Sequence, residues 1–119
     1  MNKKILVIGT LAFDSIQTPS LKSGIILGGA ATYISFAISK LSNNFGIVSV
    51  VGDDFPLEFL NRIKSTGADI SGVEIIKDKE SFFWSGKYHK DINKRTTLET
   101  KIGVLENFNP IIPENFKDS

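Results

Sequence analysis

The sequence predicts an α/β fold, and three observations carry that expectation. Ile5-Leu6-Val7-Ile8 is a short, continuous apolar run, rich in β-branched residues and stopped by Gly9. Such a run reads as a strand buried on both faces, the pattern of a parallel sheet. Gly46 to Val51 (GIVSVV) is a second run of the same kind. Each is followed by a segment with apolar residues at helical spacing, so strand, helix, strand and helix succeed one another as in a right-handed βαβ unit.

The elements follow in order. Residues 15–27 contain Pro19, Gly24 and the triplet Ile25-Ile26-Leu27, and read as a loop carrying a short strand or two. From Ala31 the residues Ala31, Ile34, Ile38 and Leu41 predict a helix that stops at Ser42-Asn43-Asn44. After the second strand, the turn Gly52-Asp53-Asp54 offers an Asp N-cap, with Pro56 in the first turn of the next helix. Leu57, Leu60 and Ile63 form that helix's expected buried stripe, and Gly67 suits the C′ position. Ser81 to Tyr88 and Arg95 to Val104 are β-prone runs on either side of the polar stretch 89–94, which predicts a hairpin. Phe82, Phe83, Trp84 and Tyr88 on that hairpin need something to cover: the sheet, a second subunit, or a ligand beneath a lid.

Composition excludes several function classes. With 119 residues, 41% of them hydrophobic and 23% charged, the chain has the makeup of one soluble globular domain. Lys and Arg number 14 against 13 for Asp and Glu, so no basic surplus draws the chain to nucleic acid. Cysteine is absent and histidine is limited to His89, which leaves neither a disulfide framework nor a thiolate or His-rich metal site. His89 itself receives no catalytic role, because no partner is placed beside it. The apolar run after Met1-Asn2-Lys3-Lys4 is too short for a signal peptide or a membrane span, so no membrane association and a cytoplasmic protein are expected.

Gly28-Gly29-Ala30-Ala31, where a Gly-rich loop runs into the first helix, is the most informative feature for function. Two glycines let a ligand approach the main chain, and a helix amino terminus points N–H groups and a positive dipole end forward. The same pair also serves a tight connection with no ligand. The turn after the first strand reads Gly9-Thr10-Leu11-Ala12-Phe13-Asp14 rather than G-x-G-x-x-G, which disfavours a dinucleotide-binding Rossmann domain.

Taken together, the strand Ile5 to Gly9, Asp14 just after it, Gly28-Gly29-Ala30-Ala31, Ser35, Ser42 and Gly52 stand at the spacing of a known signature. Val50-Val51-Gly52-Asp53-Asp54-Phe55 and Thr66 to Val73 follow it in order. In these residues the chain resembles the amino-terminal part of the ribokinase/PfkB carbohydrate kinase family. The resemblance implies a ribokinase-like, Rossmann-type three-layer parallel sheet with a projecting β-hairpin lid. Residues 1–119 would be the substrate-binding part, with lid segments about 15–27 and 80–104, and the ATP-binding, catalytic part would be absent. Its function would be to bind the sugar or nucleoside whose hydroxyl an ATP-dependent kinase phosphorylates.

The implied substrate site comprises Asp14, accepting hydrogen bonds from two hydroxyls, the main chain of Gly28, Gly29 and Ala30, and Tyr33. Tyr33 stands where the family has Asn, so the hydrogen-bonding pattern toward a sugar is altered. Trp84 and Arg95 are the lid residues. ATP and Mg2+ are implied as cofactors, yet the Gly-rich motif that would hold the triphosphate, and the catalytic base with it, is not found in this sequence. The chain by itself is therefore expected to be inactive, with no catalytic residue and no metal ligand. A homodimer through the lid, or a non-catalytic interaction module derived from such a kinase, is the other reading of the aromatic hairpin.

Overall fold

The computed structural model describes residues 4–91 and 93–117. Met1–Lys3, Ile92 and Asp118-Ser119 lie outside the described residues, and with them most of the reading of the amino terminus. The chain runs β1 (Ile5–Ile8), β2 (Ala12–Gln17), β3 (Lys22–Gly28), α1 (Ala30–Ile38), β4 (Phe45–Gly52), α2 (Leu57–Lys64), β5 (Ala68–Ile76), β6 (Phe82–Tyr88) and β7 (Arg95–Lys101). Two 3-10 turns, Gly103–Asn107 and Glu114–Phe116, follow. The strands make two sheets: a parallel one in the order β1-β4-β5, and a four-stranded one in the order β3-β2-β6-β7.

β4 is the axis of the first sheet, and all eight of its residues are buried. Its Phe45, Ile47 and Val51 join Val7, Leu11, Leu27, Ala31 and the Phe55, Phe59, Leu60 and Ile63 side chains in one core cluster. Both helices contact this sheet and each other, so they share one face. On the opposite face the ring of Phe116 lies against Gly46 and Gly72, whose lack of a Cβ makes room for it. The segment after β7 thus returns to cover what the helices leave open.

Several expectations from the sequence need correcting. β1 is an outer strand, with Val7 buried but Ile5 and Ile8 exposed, so its apolar run is covered on one face only. Residues 15–27 are not mainly a loop: β2 and β3 form an antiparallel hairpin there, and Asp14 sits on a strand. β5 escapes a reading by apolar periodicity because Asp69, Ser71, Gly72 and Glu74 interrupt its pattern, while parallel pairing with β4 holds it in place. The hairpin of β6 and β7 forms, but β6 also pairs in parallel with β2, so it is half of a larger sheet.

The helices are rotated from their expected faces. α1 buries Ala31, Thr32 and Ser35, while Ile34 and Leu41 face solvent. The hydroxyls of Thr32 and Ser35 donate to the carbonyls of Gly28 and Ala31 at 2.7 Å, so a small, internally satisfied face can lie close to the sheet. In α2 the buried residues are Phe59, Leu60 and Ile63, and Leu57 is 71% exposed. Pro56 is the N-cap, without a side-chain bond, so neither Asp53 nor Asp54 caps the helix. Gly67 turns the chain at φ +101 after α2, as its position suggested.

Candidate functional site

β2 lies between β3 and β6 in the second sheet and carries Asp14 near its centre. Asp14 pairs with Ile26 of β3 on one side and Trp84 of β6 on the other. The carboxylate leans toward Gly28, and a Cβ there would come within 2.5 Å of Asp14 Cγ and 2.9 Å of Oδ1. Gly28 is therefore a seat for a carboxylate. Burial pushes the Asp14 carboxyl above its ordinary range. Among the described residues its oxygens have no hydrogen-bond or ion-pair partner.

Gly29 has a separate task. Its φ of +95 is open to glycine, and a Cβ would meet the Thr10 carbonyl oxygen at 2.5 Å. That close approach lets Thr10 close the amino end of α1: Ala30 N–H donates to Thr10 Oγ1 at 3.0 Å and Ala31 N–H to Thr10 O at 2.9 Å. Thr32 N–H donates to Gly29 O. The expectation that α1 aims unpaired N–H groups at a ligand is thus corrected, because its first donors are already satisfied within the chain. Sequence reasoning misses Thr10 because the contact spans 20 residues, beyond any local spacing.

On β6 the ring of Trp84 lies over buried Gly86, where a Cβ would collide with it. Arg95 of β7 stacks its guanidinium over the same ring at 5.3 Å, and Trp84 Nε1 donates to Thr97 Oγ1 at 3.3 Å. The structure therefore brings Asp14, Gly28, Trp84 and Arg95 into one strip across the second sheet. Tyr33 is not part of it: it sits in the first turn of α1, 57% exposed and without a hydrogen bond to Asp14. Ala30 is exposed beside it. Phe13, the neighbour of Asp14, stacks on Phe55 at 5.3 Å and meets Phe59 edge-on at 6.1 Å, joining the second sheet to the core.

A cavity of about 510 Å³ lies away from this strip, beneath the segment after β7 and lined by Val50, Ile76, Val104 and Phe108 among others. Neither it nor the two smaller hollows touches Asp14 or Gly28. Among the described residues no group of three or more His, Cys, Asp or Glu side chains is placed to hold a metal ion, and no helix is long and apolar enough to cross a membrane.

No family model matches the chain. The cytidine kinase of Thermococcus kodakarensis is 31% identical over 116 residues, which cover 97% of this chain and 40% of that protein. The nucleoside kinase of Methanocaldococcus jannaschii, a ribokinase-family member, superposes on 88% of the chain with a TM-score of 0.72 and 26% identity, over 38% of its own length. The Burkholderia thailandensis nucleoside kinase, solved with inosine, covers 85% of the chain with a TM-score of 0.71 and 21% identity, over 37% of its length. The chain spans about two fifths of the length of these kinases. In sequence and fold alike, the chain resembles part of these ribokinase-family kinases, in keeping with the amino-terminal resemblance read from its sequence.

Proposed function

We propose that this chain binds the hydroxyl-bearing acceptor of a phosphoryl transfer, a nucleoside or a related sugar, with Asp14 as the anchoring group. The observation that carries this reading is a half-buried carboxylate seated on Gly28 with no hydrogen-bond or ion-pair partner among the described residues. Desolvating a carboxylate is unfavourable unless donors replace the lost water. A ligand with two adjacent hydroxyls supplies them, and an ionised carboxylate accepts both without offering a competing proton. The relative named a cytidine kinase and the neighbour solved with inosine favour a nucleoside over a simple sugar.

In this reading Gly28 and Gly29 keep the floor of the site free of side chains, and the second sheet, with Trp84 and Arg95, closes over the ligand as a lid that excludes water. Tyr33 would reach the ligand only if that closure drew the sheet toward α1. ATP with Mg2+ would supply the transferred phosphoryl group. Among the described residues neither fits: no carboxylate cluster suits the metal, and the first donors of α1 are taken by Thr10. Phosphoryl transfer would therefore need groups beyond the described residues. Occupied donors at α1 also weigh against a dinucleotide site at this position.

The test is a titration of the chain with cytidine, inosine and ribose, followed by calorimetry and by the emission of Trp84, the only tryptophan. Asp14→Ala should abolish the heat of binding; in the whole kinase it should raise KM and lower kcat/KM sharply. Binding that survives Asp14→Ala with its affinity intact removes Asp14 from the site. A second reading rests on β7, exposed along its entire length and bearing the free edge of its sheet. There a second copy could pair, and sedimentation with and without nucleoside separates a scaffold, indifferent to ligand, from a binding domain.

A further inference from the structure

Three consecutive residues at the end of β4 hold the second sheet. Asp53 Oδ2 accepts from Asp78 N–H at 2.9 Å, where the chain turns at φ +61. Asp54 Oδ1 accepts twice from Ser81, from its N–H at 2.9 Å and from its hydroxyl at 2.7 Å. The Ser81 oxygen in turn accepts from Gly52 N–H at 2.8 Å, and Ser81 is 1% exposed. Phe55, next in sequence, stacks on Phe13 of β2. Gly52 itself has the main chain of Lys79 and Glu80 pressed against it, closer than any Cβ would permit.

We propose that the Gly52–Phe55 turn is the positioning element of the second sheet, and that Asp54, acting through Ser81, sets where β6 begins. Ser81 immediately precedes Phe82, the first β6 residue paired with β2, opposite Ala12. From there the register runs without a break to Asp14 opposite Trp84. Fixing Ser81 therefore fixes the strand that flanks Asp14, while Phe55 fixes β2 from its other face. The exit of the hairpin is tied to the same place, since Val104 N–H donates to Glu80 O at 2.9 Å. That Asp54 thereby positions Asp14 for an acceptor rests on the function proposed above; that it positions the sheet does not.

The experiment reads the sheet without ligand. In Asp54→Ala, amides of 78–88 and 95–101 should exchange at least about tenfold faster, the worth of one charge-assisted hydrogen bond, while amides of 45–51 and α2 keep their rates. Trp84 emission should shift in the same variant, and Asp54→Asn, which retains an acceptor oxygen for Ser81, should restore both. Should Asp54→Ala fail to fold, Ser81→Ala is the milder test, because it leaves the Ser81 N–H on Asp54. Uniform acceleration across both sheets, or unchanged exchange and emission in both variants, overturns the proposal. Where the native chain binds a nucleoside, Asp54→Ala should weaken that binding and Asp54→Asn recover it. Should no nucleoside bind, the acceptor reading fails and the exchange data still decide this one.

Discussion

Gly28→Ala isolates the seat of the carboxylate from the rest of the fold. Position 28 does not need a left-handed backbone, so alanine adds only its Cβ. That atom would lie 2.5 Å from Asp14 Cγ, where ordinary contact begins at 3.4 Å, so the carboxylate must retreat by about 1 Å or turn outward. Overpacking of a rigid site costs about 1–3 kcal/mol, and because Asp14 can swing toward water the loss of stability should stay near about 1 kcal/mol. Binding suffers more. Two hydroxyl bonds to a charged acceptor contribute on the order of 3 kcal/mol together, which is about a hundredfold in Kd. Calorimetry with a nucleoside measures that loss, denaturant melts measure the stability, and carboxyl NMR titration follows Asp14. Its pKa, raised by burial in the native chain, should fall toward 3.8 once the group is expelled. Unchanged affinity in a variant whose Asp14 has demonstrably moved would refute the reasoning.

Other outcomes follow from the packing and the charges. Phe116→Ala should cost about 3 kcal/mol in urea unfolding, because it empties the space over Gly46 and Gly72. Leu57→Gln should stay within about 0.5 kcal/mol, whereas Phe59→Ala, two residues along, should lose about 3 kcal/mol. The Lys4 ammonium, 2.8 Å from Asp69, holds that carboxyl at about 2 against an ordinary 3.8. A depressed folded pKa gives stability that is present above 3.8 and lost as pH falls toward 2. Solvent screens this pair, so its contribution is about 1 kcal/mol or less, and Asp69→Asn should flatten that part of an acid unfolding curve. Asp14 runs the other way: its raised pKa means that protonation favours the fold, while acceptor affinity, which needs the ionised form, fades at a higher pH than for an ordinary carboxylate.

The parallel strands were legible because they depend on a strong local signal, unbroken β-branched runs, whereas the closeness of Asp14 to Gly28 was implied only by the resemblance to a known family. What escaped was written across distance. Ile34 and Leu57 look like core residues from helical spacing, yet the buried arcs are chosen by how closely a sheet can approach, which favours Thr32 and Ser35 in one helix and Phe59 in the other. β5 alternates poorly and is held by its partner rather than by its own pattern. Asp53 and Asp54 read as caps because acids before a helix usually are; here the backbone donors of 78 and 81 claim them first.

The paired glycines show how one motif divides two demands. Gly29 serves the backbone: its positive φ and its contact with Thr10 close the amino end of α1, so a side chain there disturbs the junction of β3 and the helix. Gly28 serves the side chain across from it, keeping an ordinary conformation and yielding its Cβ space to a carboxylate. A polar ligand approaching Asp14 therefore meets a carboxylate braced by packing, with its donors missing, beside a helix end with its donors already used. Such a surface is selective by sign: it attracts hydroxyls and repels phosphates. An acceptor would enter by its hydroxyls, and any phosphate would have to be held by groups farther away.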